Sequence, residues 1–119
     1  MVFITGGAYQ GKLPFARERF DLDDKDIYEC TEDAQPDWDR RCVTHLERYV
    51  YYCVKNGVLP EDRFRDDAVL IGDDMFCGVV PIDPTERTWR EESGRFYGKI
   101  STRADKVWRL FCSLPLELK

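Results

Sequence analysis

Residues 2–13 read Val2-Phe3-Ile4-Thr5-Gly6-Gly7-Ala8-Tyr9-Gln10-Gly11-Lys12-Leu13. The first four form a short apolar, β-branched run that stops at two glycines, which is typical of a buried strand entering a tight loop. A short helix is predicted over residues 12–20, because Pro14 falls in its first turn, where proline is tolerated. A strand, a glycine-rich loop and a helix in this order indicate an α/β fold.

The glycines and the lysine match the pattern G-x-x-x-x-G-K of a phosphate-binding loop. In such a loop, backbone N–H groups curl around phosphate oxygens, and the helix N-terminus and the lysine supply positive charge. The candidate nucleotide- or phosphate-binding residues are Gly6, Gly7, Ala8, Gly11 and Lys12. The following position normally carries a serine or threonine hydroxyl that binds Mg²⁺, but here it is Leu13. A glycine-rich turn that binds nothing is the alternative interpretation.

Strand-like and helix-like segments alternate along the rest of the chain. Short apolar runs predict strands at 26–29, 68–71 and 106–112, and a turn at 113–115 leads into a terminal hairpin at 116–118. Helical spacing predicts a helix over 38–56 capped by Asp37, a further helical turn at 60–66, and a helix over 83–103 that opens at Asp83 and Pro84. We therefore expect one domain, residues 1–119, with a mostly parallel sheet and a C-terminal antiparallel hairpin.

Two acidic residues, Asp73 and Asp74, follow the apolar run at 68–71. Phosphate-loop enzymes keep a carboxylate near Mg²⁺ at the end of such a strand, so both residues are candidate metal ligands. An acidic turn that ends a strand is the alternative, because the chain has 23 acidic residues and such turns are common in it.

The composition limits the class of protein. The 119 residues suffice for one domain, and 43% hydrophobic residues can build a core but provide no run long enough to cross a membrane. A formal charge of -5 does not indicate binding to nucleic acid or to an anionic membrane, since both require a basic face. The composition predicts a small, acidic, soluble domain.

The five cysteines (Cys30, Cys42, Cys53, Cys77 and Cys112) include no C-x-x-C pair, and the N-terminus has no signal-peptide pattern. Reduced thiols in a cytoplasmic protein, without structural zinc, are the expected state. The only histidine, His45, falls within the helix predicted over 38–56 and is interpreted as a residue on the face of that helix.

Several segments resemble one known family. They are Thr5-Gly6-Gly7-Ala8 with Gly11-Lys12, Asp73-Asp74-Met75-Phe76-Cys77-Gly78-Val79-Val80-Pro81, Arg87-Thr88-Trp89-Arg90-Glu91, Gly94-Arg95, Ala104-Asp105-Lys106-Val107-Trp108 and Leu114-Pro115-Leu116-Glu117-Leu118-Lys119. In this order they resemble the adenosylcobinamide kinase/adenosylcobinamide-phosphate guanylyltransferase family of cobalamin assembly. The resemblance covers about the first 13 and the last 50 residues.

The resemblance implies a RecA-like phosphate-loop fold, assembled as a trimer in many members of that family. It also implies two activities. The first is phosphorylation of the aminopropanol hydroxyl of adenosylcobinamide from GTP or ATP with Mg²⁺. The second is transfer of GMP onto that phosphate through a guanylylated histidine. The implied ligands are therefore a nucleotide, Mg²⁺ and cobinamide.

The chain departs from the family pattern at the residues that perform catalysis. Leu13 replaces the Mg²⁺-binding hydroxyl, and Thr31 stands where the nucleophilic histidine is expected. The family's Asn-Glu step becomes Asp73-Asp74, and its Asn-Gln step becomes Tyr97-Gly98. The middle of the chain is also shorter than in the family, and we expect it to lack one strand and an acidic loop.

These departures favour a shortened, divergent relative that binds nucleotide or phosphate with lost or altered catalysis, since losing a covalent nucleophile removes the route through it. The first alternative is an active cobinamide kinase that uses GTP or ATP. The second is a non-enzymatic interaction module, and the third is an unrelated small α/β domain.

Overall fold

The computed structural model describes residues 1–74 and 83–119, and over these residues the chain forms six strands and three α-helices. The strands are β1 (Val2–Gly6), β2 (Ile27–Glu29), β3 (Cys42–Thr44), β4 (Val69–Asp73), β5 (Lys106–Phe111) and β6 (Leu114–Glu117). The helices are α1 (Lys12–Phe20), α2 (Leu46–Lys55) and α3 (Pro84–Arg103), and a 3₁₀ turn at Asp24–Asp26 precedes β2.

All six strands belong to one sheet in the order β2-β3-β4-β1-β5-β6. The first five are parallel to their neighbours, and β6 pairs antiparallel with β5. This confirms the predicted α/β class, the mostly parallel sheet and the C-terminal antiparallel hairpin. Strand β1, which precedes the glycine-rich loop, lies inside the sheet between β4 and β5.

The sheet separates two apolar cores. Phe3 and Leu70 belong to the first core, where they pack with side chains of α2 and α3. Their chain neighbours Ile4 and Ile71 belong to the second core, where they pack with side chains of α1. Successive residues of a strand point to opposite faces, so this alternation buries β1 and β4 on both sides. Helix α1 therefore covers one face of the sheet, and α2 and α3 cover the other.

This arrangement opens a crevice between β1 and β4. These strands are neighbours, yet the helix that follows β1 lies on one face and the helix that follows β4 lies on the other. Ligands of open parallel sheets bind outside the carboxyl ends of the strands at such a point. The last residues of the two strands, Gly6 and Asp73, lie opposite each other in the register. The fold thus brings the glycine-rich loop and Asp73 together.

Most elements lie where the sequence predicts them. Strand β1, helix α1 and the strand at 69–73 are confirmed, and the predicted strand at 26–29 is present as β2, with its first residue in the 3₁₀ turn. Helix α3 begins as expected, with Pro84 at its first position and the Asp83 carboxylate accepting a hydrogen bond from the Thr85 N–H at 2.9 Å. Local capping signals are sufficient to place this helix.

The helix predicted over 38–56 is wrong in its first third. Cys42–Thr44 is strand β3, and α2 begins only at Leu46. Cys42 packs in the second core and Val43 in the first, so successive side chains point in opposite directions as a strand requires. The middle of the chain therefore contains a strand that the sequence analysis did not predict.

The helical turn predicted at 60–66 is absent, and residues 60–65 form no regular element. Contacts with distant residues hold this segment. The Glu61 N–H donates to the Tyr49 hydroxyl at 2.9 Å, Phe64 is buried in the first core, and Arg103 bonds to the Phe64 carbonyl at 3.2 Å. Tertiary packing overrides the local preference here.

No helix in the described ranges is both long enough and apolar enough to span a membrane.

Candidate functional site

Two glycines of the loop after β1 are required by close packing. A Cβ atom on Gly6, whose φ is 148°, would lie 2.5 Å from the Leu110 carbonyl oxygen of β5. A Cβ atom on Gly11, whose φ is 84°, would lie 2.7 Å from the Ser113 hydroxyl in the β5–β6 turn. The loop thus packs closely against β5 at Gly6 and against the β5–β6 turn at Gly11. A larger residue at either position would displace the loop.

The loop presents backbone donors at the start of α1. In the described part of the chain, no acceptor engages the N–H groups of residues 8–13. The first N–H groups of a helix have no partner within the helix, and they carry the positive end of its dipole. These donors suit an anion such as phosphate.

The Lys12 side chain lies at the crevice between β1 and β4. It is only 7% exposed, its ammonium donates to the Gly7 carbonyl at 2.6 Å, and it forms an ion pair with the Asp73 carboxylate at 2.8 Å. The pair joins the first residue of α1 to the last residue of β4. An anion that binds Lys12 would therefore have to compete with Asp73.

His45 is the residue that the sequence interpretation misplaced. It does not lie within a helix; it joins β3 to α2 in a left-handed conformation with φ 57° and ψ 48°. Its Nδ1 lies 3.0 Å from Glu47 Oε2, and its Nε2 lies 3.4 Å from Glu29 Oε1. The hydrogen bond with Glu47 raises the pKa of His45, although burial opposes this shift.

Glu47 connects His45 to the end of β4. Its side chain is 7% exposed, and its Oε1 accepts a hydrogen bond from the Asp73 N–H at 2.9 Å. Sequence reasoning did not identify Glu47 as a site residue. The signal that could have identified it is the position of His45 and Glu47 just after residues 42–44. If these residues are recognised as a strand, His45 and Glu47 follow its carboxyl end, where parallel sheets bind ligands.

Helix α3 fixes the backbone of this cluster. The Trp89 indole donates to the Glu47 carbonyl at 2.7 Å, and the Tyr97 hydroxyl donates to the Asp73 carbonyl at 2.9 Å. Burial raises the pKa of Tyr97 well above its ordinary value, so it remains a donor. Tyr97 therefore positions the backbone of Asp73.

A cleft of about 850 Å³ extends from the loop across the ends of β2, β3 and β4. Lys12, His45 and Asp73 line it near the loop, and two ion pairs line its outer part: Arg17 with Asp24 at 2.6 Å and Arg48 with Glu29 at 3.0 Å. The cleft therefore combines cations that can bind phosphate with carboxylates that can bind a metal ion.

Among the described residues, the carboxylates of Asp73 and Asp74 form ion pairs with different partners. Asp73 pairs with Lys12, whereas Asp74 lies 3.2 Å from Arg109 on β5. Leu13 lines the cleft and packs against the second core, so it adds no oxygen to the site. Thr31 lies in the exposed loop after β2, where its hydroxyl accepts a 3.4 Å hydrogen bond from Asp33.

Part of the motif quoted for the family resemblance, residues 75–81, lies outside the described residues. Compared with known proteins, the chain matches no family model. It likewise matches no curated protein. Its function has to be inferred from the fold and from the cleft.

Proposed function

We propose that this domain binds the phosphate groups of a nucleotide, GTP or ATP, in the crevice between β1 and β4 on a RecA-like phosphate-loop fold. The observation that carries the proposal is the buried Lys12 ammonium beside the unengaged N–H groups of residues 8–13. Fixed donors, a helix dipole and a lysine at one point form an anion site. The crevice also lies where the helices that follow two neighbouring strands pack on opposite faces of the sheet, which supports the same location.

We further propose that the domain binds the nucleotide but that its catalytic activity is lost or altered. Two features of the crevice support this. Leu13 supplies no hydroxyl for Mg²⁺, and the Asp73 carboxylate occupies the Lys12 ammonium that would otherwise face the phosphates. Phosphoryl transfer depends on positioned charge and metal, so the loss of either reduces turnover more than binding.

An active cobinamide kinase is the second candidate, and the His45–Glu47 pair favours it. A histidine held at 3.0 Å by a buried carboxylate can take a proton from a substrate hydroxyl, and His45 lines the same cleft as Lys12. This candidate predicts nucleotide consumption that rises when cobinamide is added.

A non-enzymatic interaction module is the third candidate. The terminal hairpin exposes Phe111, Leu114 and Leu116 by more than half of their surface, and exposed apolar side chains of this kind mark contact surfaces. This candidate predicts no nucleotide binding.

Calorimetric titration with GTP and with ATP, with and without Mg²⁺ and with and without cobinamide, separates the three candidates. We expect nucleotide binding that Lys12→Met weakens at least about tenfold, since a charged contact to phosphate is lost. The matched control is Lys99→Met, because Lys99 is exposed on α3 outside the cleft. Equal affinity of the two variants, or no binding by the unchanged chain, would overturn the proposal.

A further inference from the structure

Three metal-ligating side chains converge at the ends of β3 and β4. One ligand atom each from His45, Glu47 and Asp73 lies within 4.8 Å of the other two. We propose that these three residues form a binding site for a divalent transition-metal ion such as Zn²⁺, Co²⁺ or Mn²⁺. The proposal is argued from these side chains alone and does not require the proposed nucleotide binding, although Asp73 also pairs with Lys12.

The spacing of the donors fits a metal ion. Metal–nitrogen and metal–oxygen bonds of about 2.0–2.2 Å place neighbouring ligand atoms about 3.0–3.4 Å apart. His45 Nδ1 and Glu47 Oε2 already have this spacing, at 3.0 Å. Because the three ligand atoms lie within 4.8 Å of one another, Asp73 has to approach by at most about 1–2 Å, a distance within reach of a side-chain rotation. One of its two oxygens pairs with Lys12, and the other is available to the ion.

A second layer of contacts orients the three ligands. The far nitrogen of His45 faces Glu29 at 3.4 Å, and Arg48 holds Glu29 at 3.0 Å. A carboxylate behind the non-ligating ring nitrogen is the usual partner of a metal-binding histidine. Glu47 is oriented in turn by the Asp73 N–H at 2.9 Å.

The balance of charge also favours a cation here. Three carboxylates, those of Glu29, Glu47 and Asp73, surround His45. Two permanently charged side chains, Lys12 and Arg48, pair with them. A neutral imidazole therefore leaves one excess negative charge beside a buried carboxylate, and a bound cation would compensate it in place of a proton on His45.

The donor types indicate the class of metal. Imidazole nitrogen together with carboxylate oxygen suits Zn²⁺, Co²⁺ and Mn²⁺, whereas Mg²⁺ and Ca²⁺ prefer a shell made only of oxygen. The proposed ligands also differ from those that the sequence predicts: Asp73 is retained, but His45 and Glu47 take the place of Asp74. The site places a fixed cation next to Lys12, at the loop whose Leu13 offers no metal-binding oxygen.

Because His45 is the only histidine, the chain carries its own spectroscopic probe. We would titrate the tag-free chain with Mn²⁺ alone and follow the ring protons of His45 by NMR. The expected result is broadening of these signals at sub-stoichiometric Mn²⁺. Unchanged signals, or broadening no greater than that of exposed side-chain protons outside the cleft, such as the methyl protons of Leu59, would overturn the proposal without any variant being made.

Visible absorption with Co²⁺ then tests the ligand set. We expect one Co²⁺ per chain, and an affinity that falls at least about tenfold in His45→Gln and in Glu47→Gln. Glu86→Gln, an exposed glutamate of α3, is the matched control and should bind as the unchanged chain does. Asp73→Asn should lose binding while Asp74→Asn retains it. Retained binding in His45→Gln, or a near-ultraviolet band that marks thiolate ligation, would overturn the proposal.

Discussion

The Lys12 ammonium and the Asp73 carboxylate lie 2.8 Å apart at the carboxyl ends of two neighbouring parallel strands. The lysine is almost fully buried and the aspartate is 24% exposed, so the pair is shielded from water on one side only. This ion pair joins the glycine-rich loop to the cluster formed by His45 and Glu47. The Lys12 ammonium stabilises the fold by pairing with Asp73, and an anion that binds in the crevice would compete for the same ammonium.

The ion pair should contribute measurably to stability. Lys12→Met leaves Asp73 without its cation, and Asp73→Asn leaves a buried ammonium with a weaker partner. Because Asp73 is partly exposed, we expect each single change to lower the free energy of unfolding by about 1–3 kcal/mol. The double variant should recover part of this loss, with a coupling of about 1 kcal/mol or more in a double-mutant cycle. Additive losses in urea unfolding would show that the two residues are not coupled.

Gly11→Ala should destabilise the loop. The new Cβ would approach the Ser113 hydroxyl, and alanine is strained at a φ of 84°. We expect a loss of about 1–3 kcal/mol in the free energy of unfolding. Gly98→Ala on α3 is the control, because a Cβ there meets no atom within 4 Å and should stabilise the helix by about 0.5–1 kcal/mol. Equal effects of the two substitutions would contradict the loop geometry.

The described cysteines should differ sharply in reactivity. Burial raises the pKa of Cys30 and of Cys42 to about 12, so neither forms thiolate near neutral pH. Cys112 is exposed in the β5–β6 turn. Iodoacetamide at about pH 8, with site-resolved mass spectrometry, should modify Cys112 within minutes while Cys30 and Cys42 remain unmodified in the folded chain. Comparable modification of Cys30 and Cys112 would show that the first core is not closed as described.

Leu13→Ser should give the loop the hydroxyl that it lacks. We expect Mg²⁺ to strengthen nucleotide binding in this variant more than in the unchanged chain, since a serine at this position binds Mg²⁺ in phosphate loops. The loss of apolar packing against the second core should cost about 1–2 kcal/mol of stability. Isothermal titration with and without Mg²⁺ measures the effect. A Mg²⁺ dependence already as large in the unchanged chain would show that another group replaces the hydroxyl.

Local signals in the sequence were sufficient for the elements that begin or end at clear markers. The apolar run before Gly6 defines β1, and the Asp83-Pro84 step defines the start of α3. The terminal hairpin was also predicted, but its turn was placed too late: the turn residues are Cys112 and Ser113, whose positive φ has no marker in the sequence, and β6 already begins at Leu114.

The boundary between β3 and α2 could not be predicted from helical spacing. Cys42 and Leu46 are four residues apart, so they fit one helical face, yet they pack on opposite sides of the sheet. The break between them is the left-handed backbone of His45, a conformation with no sequence marker in a residue other than glycine, asparagine or aspartate. Because the predicted helix continued through residues 42–45, His45 and Glu47 were not recognised as site residues.

The contacts that assemble the cleft depend on long-range order. Asp73 meets Lys12 and Glu47 only because β4 lies between β1 and β3, and strand order is not encoded by the local pattern of any one strand. The sequence alone was therefore sufficient to predict the loop and Asp73 as site residues, but not His45 and Glu47.

In the proposed function, the N–H groups of residues 8–13 and the Lys12 ammonium form an anion site. Amide NMR spectra recorded during a titration with inorganic triphosphate test it most directly. We expect chemical-shift changes concentrated in residues 7–13 and at Asp73, because the anion competes with Asp73 for Lys12. No change at millimolar triphosphate, or changes centred on another part of the chain, would contradict it.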